Sequence, residues 1–167
     1  MIVSASNMIS LAEKSGAGVV EITGGEPLTQ PRVPELCQNL IDKNFCVLLE
    51  TNGSISIKDV PNKVVVILDC KCPSSGESKS FFTDNFNLIK SKDELKFVIA
   101  DKRDFRCAEK MIEKYSVLEK TNKIFFSTVC GVLSPAILAD WMLKSKSKAI
   151  LGIQLHKIIW GNDSGGR

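Results

Sequence analysis

Residues 64–70 read Val-Val-Val-Ile-Leu-Asp-Cys, and the first five of them form a purely apolar run that no other run in the chain exceeds in length. A strand that is continuously apolar is typical of a parallel sheet whose two faces are both covered. A run of this length is far short of the roughly 20 residues that a membrane helix needs. The stretch therefore predicts a buried parallel strand and gives no reason to expect a membrane protein.

On both sides of this run, short β-branched segments alternate with longer segments of helical spacing, a pattern that predicts an α/β fold. The predicted strands are residues 19–22, 45–49, 64–68, 95–100, 124–126 and 149–155. The predicted helices are residues 4–14, 31–41, 83–90, 103–115 and 134–144, and in the last of them we expect Ile137, Leu138, Trp141 and Met142 to face the core. No repeat or linker interrupts the pattern, so we predict one domain over residues 1–161 and a mobile tail at residues 162–167.

Composition limits the class of protein further. The chain has 167 residues, of which 44% are hydrophobic and 25% charged, as expected for a globular domain. A formal net charge of +3 is too small to indicate nucleic-acid binding by bulk electrostatics. We see no secretory signal, and we therefore expect a cytoplasmic protein whose six cysteines are thiols.

Polar and glycine-rich residues follow five of the six predicted strands. These segments are residues 23–27, 50–53, 69–71, 127–130 and 154–157. Because the carboxyl ends of parallel strands meet at one rim, we expect these side chains to surround a common ligand. The alternative is that the segments are only turns, which would explain Asn52-Gly53 but not Glu50 just before it.

Two of these segments allow alternative interpretations. Gly24-Gly25 lets a main chain approach a ligand closely, but the spacing is not that of a phosphate-binding loop, and Glu26 could be a solvated carboxylate. Cys70 and Cys72 are alternate residues that could bind zinc, although two thiols without a second pair favour buried thiols instead.

Five ordered motifs then give the sequence a specific resemblance. They are Thr-Gly-Gly-Glu-Pro-Leu-x-Gln at 23–30, Glu-Thr-Asn-Gly at 50–53, Asp-x-Lys-Cys-Pro-x-Ser-Gly-Glu at 69–77 (with Cys70 at x), Asp-Glu-Leu-Lys-Phe-Val-Ile at 93–99, and Gln-Leu-His-Lys-x-x-Trp at 154–160. Together they resemble the 7-carboxy-7-deazaguanine synthases, members of the radical S-adenosylmethionine (SAM) superfamily, over residues 16–161.

The resemblance implies a lyase that contracts the ring of 6-carboxy-5,6,7,8-tetrahydropterin to give 7-carboxy-7-deazaguanine, with loss of ammonia, in queuosine biosynthesis. In that family a 4Fe-4S cluster reduces SAM to a deoxyadenosyl radical and Mg²⁺ assists. The implied fold is a partial parallel β/α barrel. The implied partners are the pterin, a flavodoxin-type electron donor and a second copy of the chain in a homodimer.

The resemblance also implies site residues. Those expected to bind SAM are Gly24, Gly25, Glu26, Asp69, Cys70, Lys71, Ser127, Thr128, Val129 and Cys130. Those expected to contact the pterin are Thr23, Glu50 and His156, with Glu50 accepting hydrogen bonds from the guanidine-like edge. A core histidine is the alternative for His156.

The superfamily's cluster motif, C-x-x-x-C-x-x-C, does not occur in this sequence, because successive cysteines are 9, 24, 2, 35 and 23 residues apart. We therefore expect the chain to lack the first barrel strand, the cluster ligands and the Mg²⁺ ligand, to contain no identifiable catalytic residue, and to be inactive alone. Thr128 also stands where related sequences often have proline. The alternatives are a non-catalytic SAM- or pterin-binding fragment and a folded relic that binds neither ligand.

Overall fold

In the computed structural model, residues 4–77, 80–155 and 159 are described. Within them the strands are β1 (Val19–Ile22), β2 (Cys46–Thr51), β3 (Val65–Cys70), β4 (Glu94–Ile99), β5 (Ile124–Thr128) and β6 (Ile150–Leu151). The α-helices are α1 (Ala5–Ser15), α2 (Val33–Asp42), α3 (Asn85–Leu88), α4 (Lys102–Lys114) and α5 (Pro135–Ser145). The predicted alternation of strands and helices is confirmed.

The described strands form one six-stranded sheet in the order β1-β2-β3-β4-β5-β6, and every neighbouring pair is parallel. Each strand is followed by a segment that returns to the start of the next, so all carboxyl ends lie at one edge. This edge, here called the C-terminal edge, carries the polar segments 23–27, 50–53, 69–71 and 127–130 and the described residues 154 and 155. The predicted parallel α/β fold is confirmed.

The two faces of the sheet differ because side chains alternate along each strand. From β2 to β4, every second residue is buried, and the buried set includes Leu49, Leu68 and Phe97. These residues pack in two apolar clusters, a smaller one with α2 and a larger one with α4 and α5. The other face, here called the inner face, consists of partly exposed residues and is more polar.

Helix ends follow their sequence signals. Ser4 caps α1 by accepting a hydrogen bond from the Asn7 amide at 3.2 Å, and Gly16 ends the helix at φ 69°. Asp101 caps α4 by accepting from two main-chain amides. The first helix therefore agrees with the predicted one to within one residue at each end.

Several predicted boundaries are wrong. Three strands extend beyond the predicted ends at residues 49, 68 and 126, because the parallel hydrogen bonding continues through the polar residues there. The predicted helix over residues 83–90 is the single turn α3, and the predicted strand over 149–155 is only β6. Ile137 is 46% exposed and does not face the core. The predicted tail at 162–167 lies outside the described residues.

None of the helices described is both long enough and apolar enough to cross a membrane. None of the six cysteines, all of which are described, forms a disulfide, as predicted. Cys70 and Cys72 are both buried, and each thiol donates to a main-chain oxygen, of Leu68 at 3.7 Å and of Asp104 at 3.9 Å respectively. These contacts fit the interpretation of the two residues as buried thiols.

Candidate functional site

A groove of about 340 Å³ runs across the inner face towards the C-terminal edge. Its floor includes Ile67 and Phe125, which present flat apolar surface. Three carboxylates and one ammonium group, those of Glu21, Glu50, Glu94 and Lys96, line the described part of the groove. A groove with an apolar floor and few charged groups suits a flat, polar-edged ligand.

An ion pair that spans β3 lies in the lining of this groove. Lys96 Nζ on β4 donates to Glu50 Oε1 on β2 at 2.7 Å, and both side chains are partly buried. Burial alone would lower the pKa of Lys96, but the hydrogen bond and charge of Glu50, with the charges of Asp69 and Glu21, outweigh burial and raise that pKa above its usual value. Lys96 is therefore a cation throughout the neutral range.

A second cavity, of about 440 Å³, opens where β3, β4 and β5 end. Four of the residues expected to bind SAM line it, namely Asp69, Cys70, Lys71 and Val129. Lys71 Nζ donates to Asp69 Oδ2 at 2.6 Å. The structure thus brings together residues that are 60 positions apart in the chain.

Three buried oxygen atoms near these cavities have no hydrogen-bond partner among the described residues: Asp69 Oδ1, Ser127 Oγ and Gln154 Oε1. Ser127 and Gln154 line the groove of the inner face, and Asp69 lines the second cavity. Buried polar atoms in folded proteins are almost always paired, so unpaired ones need an explanation. Three of them in the linings of these two cavities indicate a surface that can bind polar groups of a ligand.

The carboxylate of Glu26 joins the first two polar segments. Glu26 Oε1 accepts from the Leu28 amide at 3.0 Å and from Thr51 Oγ1 at 2.8 Å, while Oε2 accepts from the Asn52 amide at 2.8 Å. Glu26 is thus neither solvated nor free to point at a ligand. What remains exposed here is the main chain of Gly24 and Gly25, at φ 97° and 56°, in conformations that favour glycine.

The remaining predicted site residues are placed less uniformly. Thr23 is exposed beside the glycines, and Thr128 and Cys130 line a smaller cavity of about 140 Å³ that shares Gln154 with the groove. Cys70 borders the second cavity, but its side chain is fully buried in the larger apolar cluster, and burial raises the pKa of its thiol. The expectation for His156 lies outside the described residues.

Two buried polar residues that hold the site's loops, and one partly buried lysine in the groove, were not predicted. Asn85 is fully buried and bonds the main chain of the loop that follows β2. Asp104, also fully buried, accepts from the amides of Ser74 and Ala100, each at 3.0 Å. Lys96 was quoted in a motif but given no role, although a lysine that alternates with apolar residues in a strand is a signal that could have been used.

The residues described provide no group of three or more His, Cys, Asp or Glu side chains that could hold a metal ion. Burial raises the pKa of the Cys72 thiol to about 12 and also raises that of Cys107, so both are protonated at neutral pH. The described residues therefore bring no three thiols together in the way that a 4Fe-4S cluster requires.

Comparison with known proteins decides the family. A 7-carboxy-7-deazaguanine synthase of Koribacter versatilis is 37% identical over 163 residues, which cover 89% of this chain and 72% of that protein. The chain belongs to the 7-carboxy-7-deazaguanine synthase family. A second synthase, from Chlorobaculum tepidum, is 39% identical over 153 residues, covering 90% of this chain and 69% of that protein. A scan against family models gave no match.

A solved structure, that of QueE from Escherichia coli, has the same fold as this member of the synthase family. The TM-score is 0.69 at 16% sequence identity. The match covers 91% of this chain, which spans 64% of that one. The expected fold of the radical SAM type is thereby confirmed.

Proposed function

We propose that this chain forms the SAM- and pterin-binding sheet of a 7-carboxy-7-deazaguanine synthase, a lyase that contracts the ring of 6-carboxy-5,6,7,8-tetrahydropterin. Family membership supports the reaction class. The observation that carries the proposal is the polar inner face, where the Glu50–Lys96 pair lies beside the unpaired oxygens of Ser127 and Gln154. Purely structural strands have no need of such groups.

Electrostatics support a cationic ligand such as SAM, whose methionyl part carries a sulfonium and an ammonium group. The second cavity, which the predicted SAM residues line, contributes the carboxylate of Asp69, whose Oδ1 has no partner in the described part of the chain. We assign the ammonium group to the main-chain carbonyls around Gly25, since Glu26 is already engaged by three donors. Asp69 and Ser127 then offer oxygen acceptors to the rest of SAM.

The pterin fits the groove by complementary shape and hydrogen bonding. Its flat ring can lie against Ile67 and Phe125, and its guanidine-like edge presents N–H donors. Glu50 has one oxygen engaged by Lys96 and can accept those donors with the other. Thr23 and His156 remain predicted contacts of the same ligand.

The family's iron–sulfur cluster and Mg²⁺ do not fit the residues described, because neither a set of three thiolates nor a metal-ligating group occurs among them. We therefore derive no step through either group. The role proposed for this chain is to bind and orient the two organic ligands. A homodimer and a flavodoxin-type electron donor remain proposals from the family alone.

The test is calorimetric titration of the purified 167-residue chain with SAM and, under anaerobic conditions, with the pterin. We expect saturable binding of both. Gly25→Trp should abolish SAM binding, whereas Gly16→Trp should not. The two glycines are matched, because they lie at opposite ends of the segment that contains β1, both have positive φ, and nothing lies within 4 Å of either added Cβ.

A second pair of variants tests the pterin site. Glu50→Gln removes the ion pair with Lys96 and should weaken pterin binding. Glu35→Gln also removes an ion pair, with Arg32 at 3.0 Å, but it lies on α2 and not in the groove, and it should leave pterin binding unchanged. Absence of binding for both SAM and the pterin would refute the proposed function, and equal losses in the two variants would refute the role of Glu50.

A further inference from the structure

Two turns at the C-terminal edge are linked by a single side chain. The first turn, Gly24-Gly25, follows β1, and the second, Asn52-Gly53, follows β2. Glu26 lies immediately after the first turn, and its carboxylate receives all three of its donors from its own turn and from the end of β2. No main-chain hydrogen bond given by the described residues joins the two turns directly.

The geometry divides the carboxylate between the two sides. Oε1 accepts from Leu28 on the near side and from Thr51 Oγ1 on the far side, at 3.0 and 2.8 Å. Among the described residues, Oε2 accepts from the Asn52 amide alone, at 2.8 Å. Thr51 Oγ1 in turn accepts from the Gly53 amide at 3.1 Å, so the chain of bonds continues into the second turn.

Burial protects one end of this chain of bonds. Thr51 is only 1% exposed and Gly53 is also buried, so water does not compete for their polar groups, whereas Glu26 and Asn52 are partly exposed. Hydrogen bonds to an ionised carboxylate are roughly twice as strong as those between neutral groups. A carboxylate shared by three donors in such a place fixes the separation of the two turns.

We infer that Glu26 is a positioning residue, which locks the Gly24-Gly25 turn to the end of β2 so that the two turns move as one unit. Its consequence for SAM rests on the proposed function, because the carbonyls assigned to the ammonium group belong to the locked turn. The side chain itself does not touch the ligand. In this motif the main chain of the glycines is thus assigned to binding, and the Glu26 side chain to holding that main chain in position.

Hydrogen exchange of the Asn52 amide tests whether Glu26 links the two turns, and the measurement needs no ligand. Glu26→Gln replaces one carboxylate oxygen by an NH2 group, which cannot accept a hydrogen bond. The oxygen that remains cannot accept from the Asn52 amide and from the two Oε1 donors at the same time. We expect exchange at Asn52 to accelerate on the order of tenfold. Glu26→Asp keeps the charge but is one methylene shorter, and it should not restore protection if reach across the two turns is what matters.

Asp93→Asn is the matched control. Asp93 is 2% exposed and also accepts from two main-chain amides, those of Val66 and Lys90, at 3.0 and 2.9 Å, but it lies just before β4, at the opposite edge of the sheet. It should lower global stability without accelerating exchange at Asn52 relative to the other amides. Calorimetry should show SAM affinity about tenfold weaker for Glu26→Gln and unchanged for Asp93→Asn.

The outcomes are distinct. If the Asn52 amide exchanges no faster in Glu26→Gln than in the unmodified chain, the inference that Glu26 joins the two turns is overturned, whatever the SAM affinity. Full protection of the Asn52 amide in Glu26→Asp would overturn it as well. Faster exchange at Asn52 together with unaltered SAM binding would overturn the positioning role. If the unmodified chain binds no SAM, the proposed function fails, while the exchange measurement still decides whether Glu26 joins the two turns.

Discussion

Replacing Asn85 by leucine is expected to destabilise the fold through the loop that follows β2. The fully buried amide makes three hydrogen bonds to this loop: Oδ1 accepts from the Ile57 amide at 3.0 Å, and Nδ2 donates to the carbonyls of Gly53 and Ile55 at 3.1 and 2.9 Å. Each bond contributes about 1 kcal/mol, and each buried group left without a partner costs about 1–3 kcal/mol.

Leucine leaves all three main-chain groups without their partner. Allowing for some relaxation of the loop, we expect Asn85→Leu to lower the free energy of unfolding by about 3–5 kcal/mol, out of a total of about 5–15 kcal/mol for a domain. The assay is urea unfolding followed by circular dichroism. Asn87→Leu on the same helical turn is the control, because Asn87 is exposed and its replacement should change stability by less than about 0.5 kcal/mol.

Asn85→Asp separates hydrogen bonding from volume. The new oxygen would face the carbonyls of Gly53 and Ile55, so the folded state favours the protonated acid and the pKa of the new carboxyl rises above its unfolded value of about 3.9. Stability relative to the unmodified chain should therefore fall as the pH rises above about 4. A loss below about 1 kcal/mol for Asn85→Leu, or one no greater than that for Asn87→Leu, would refute this account of the loop.

Three further predictions concern a glycine and a thiol. Gly53→Ala should lower the midpoint of urea unfolding more than Gly76→Ala. Both glycines have positive φ, but only the Cβ added at Gly53 would meet the ring of Phe81, whose Cδ2 lies 2.8 Å from it. Equal losses in the two variants would contradict this. Iodoacetamide at pH 8 should label exposed Cys46 before Cys37, whose burial raises its pKa to about 11, as peptide mass spectrometry would show. Because the folded pKa of Cys37 exceeds its ordinary value of 9.0, stability should fall as the pH rises from about 9 towards 11, and Cys37→Ala should reduce that slope in urea titrations at several pH values.

The order and type of the larger elements could be predicted because apolar periodicity is a local property. The strands around Leu49, Leu68 and Phe126 were found from their apolar residues, but each was ended too early. The polar residues that continue these strands are accommodated by tertiary structure. Thr51, for example, can be buried because its hydroxyl group donates a hydrogen bond to Glu26, which lies in the loop after β1.

The last strand of the sheet was predicted too long, whereas the three strands above were predicted too short. Residues 149–155 are mostly apolar, as in a buried strand, yet the described strand is only Ile150–Leu151. The Gly152 amide still donates to the Phe126 carbonyl at 2.7 Å, and Leu155 already has a helical backbone. An apolar run does not show where main-chain pairing stops, so pattern alone overextended this strand.

The place of the site in the fold could be predicted, but the contacts between its side chains could not. Convergence of strand ends placed Asp69 and Val129 in one cavity as expected. The partner of Glu50 was not predicted, because the pairing of its carboxylate with Lys96 depends on the register of three strands. Nor could sequence show that the carboxylate of Glu26 binds two turns, since its partners follow by 25 and 26 positions.

The agreement between strand order and chain order has a consequence for synthesis on the ribosome. Each new strand pairs with the one completed just before it, so no strand must wait for a distant part of the chain to emerge. The smaller apolar cluster draws on residues up to Val64 and can be assembled before the larger one has been translated. The chain is thus suited to fold vectorially, one strand and its helix at a time.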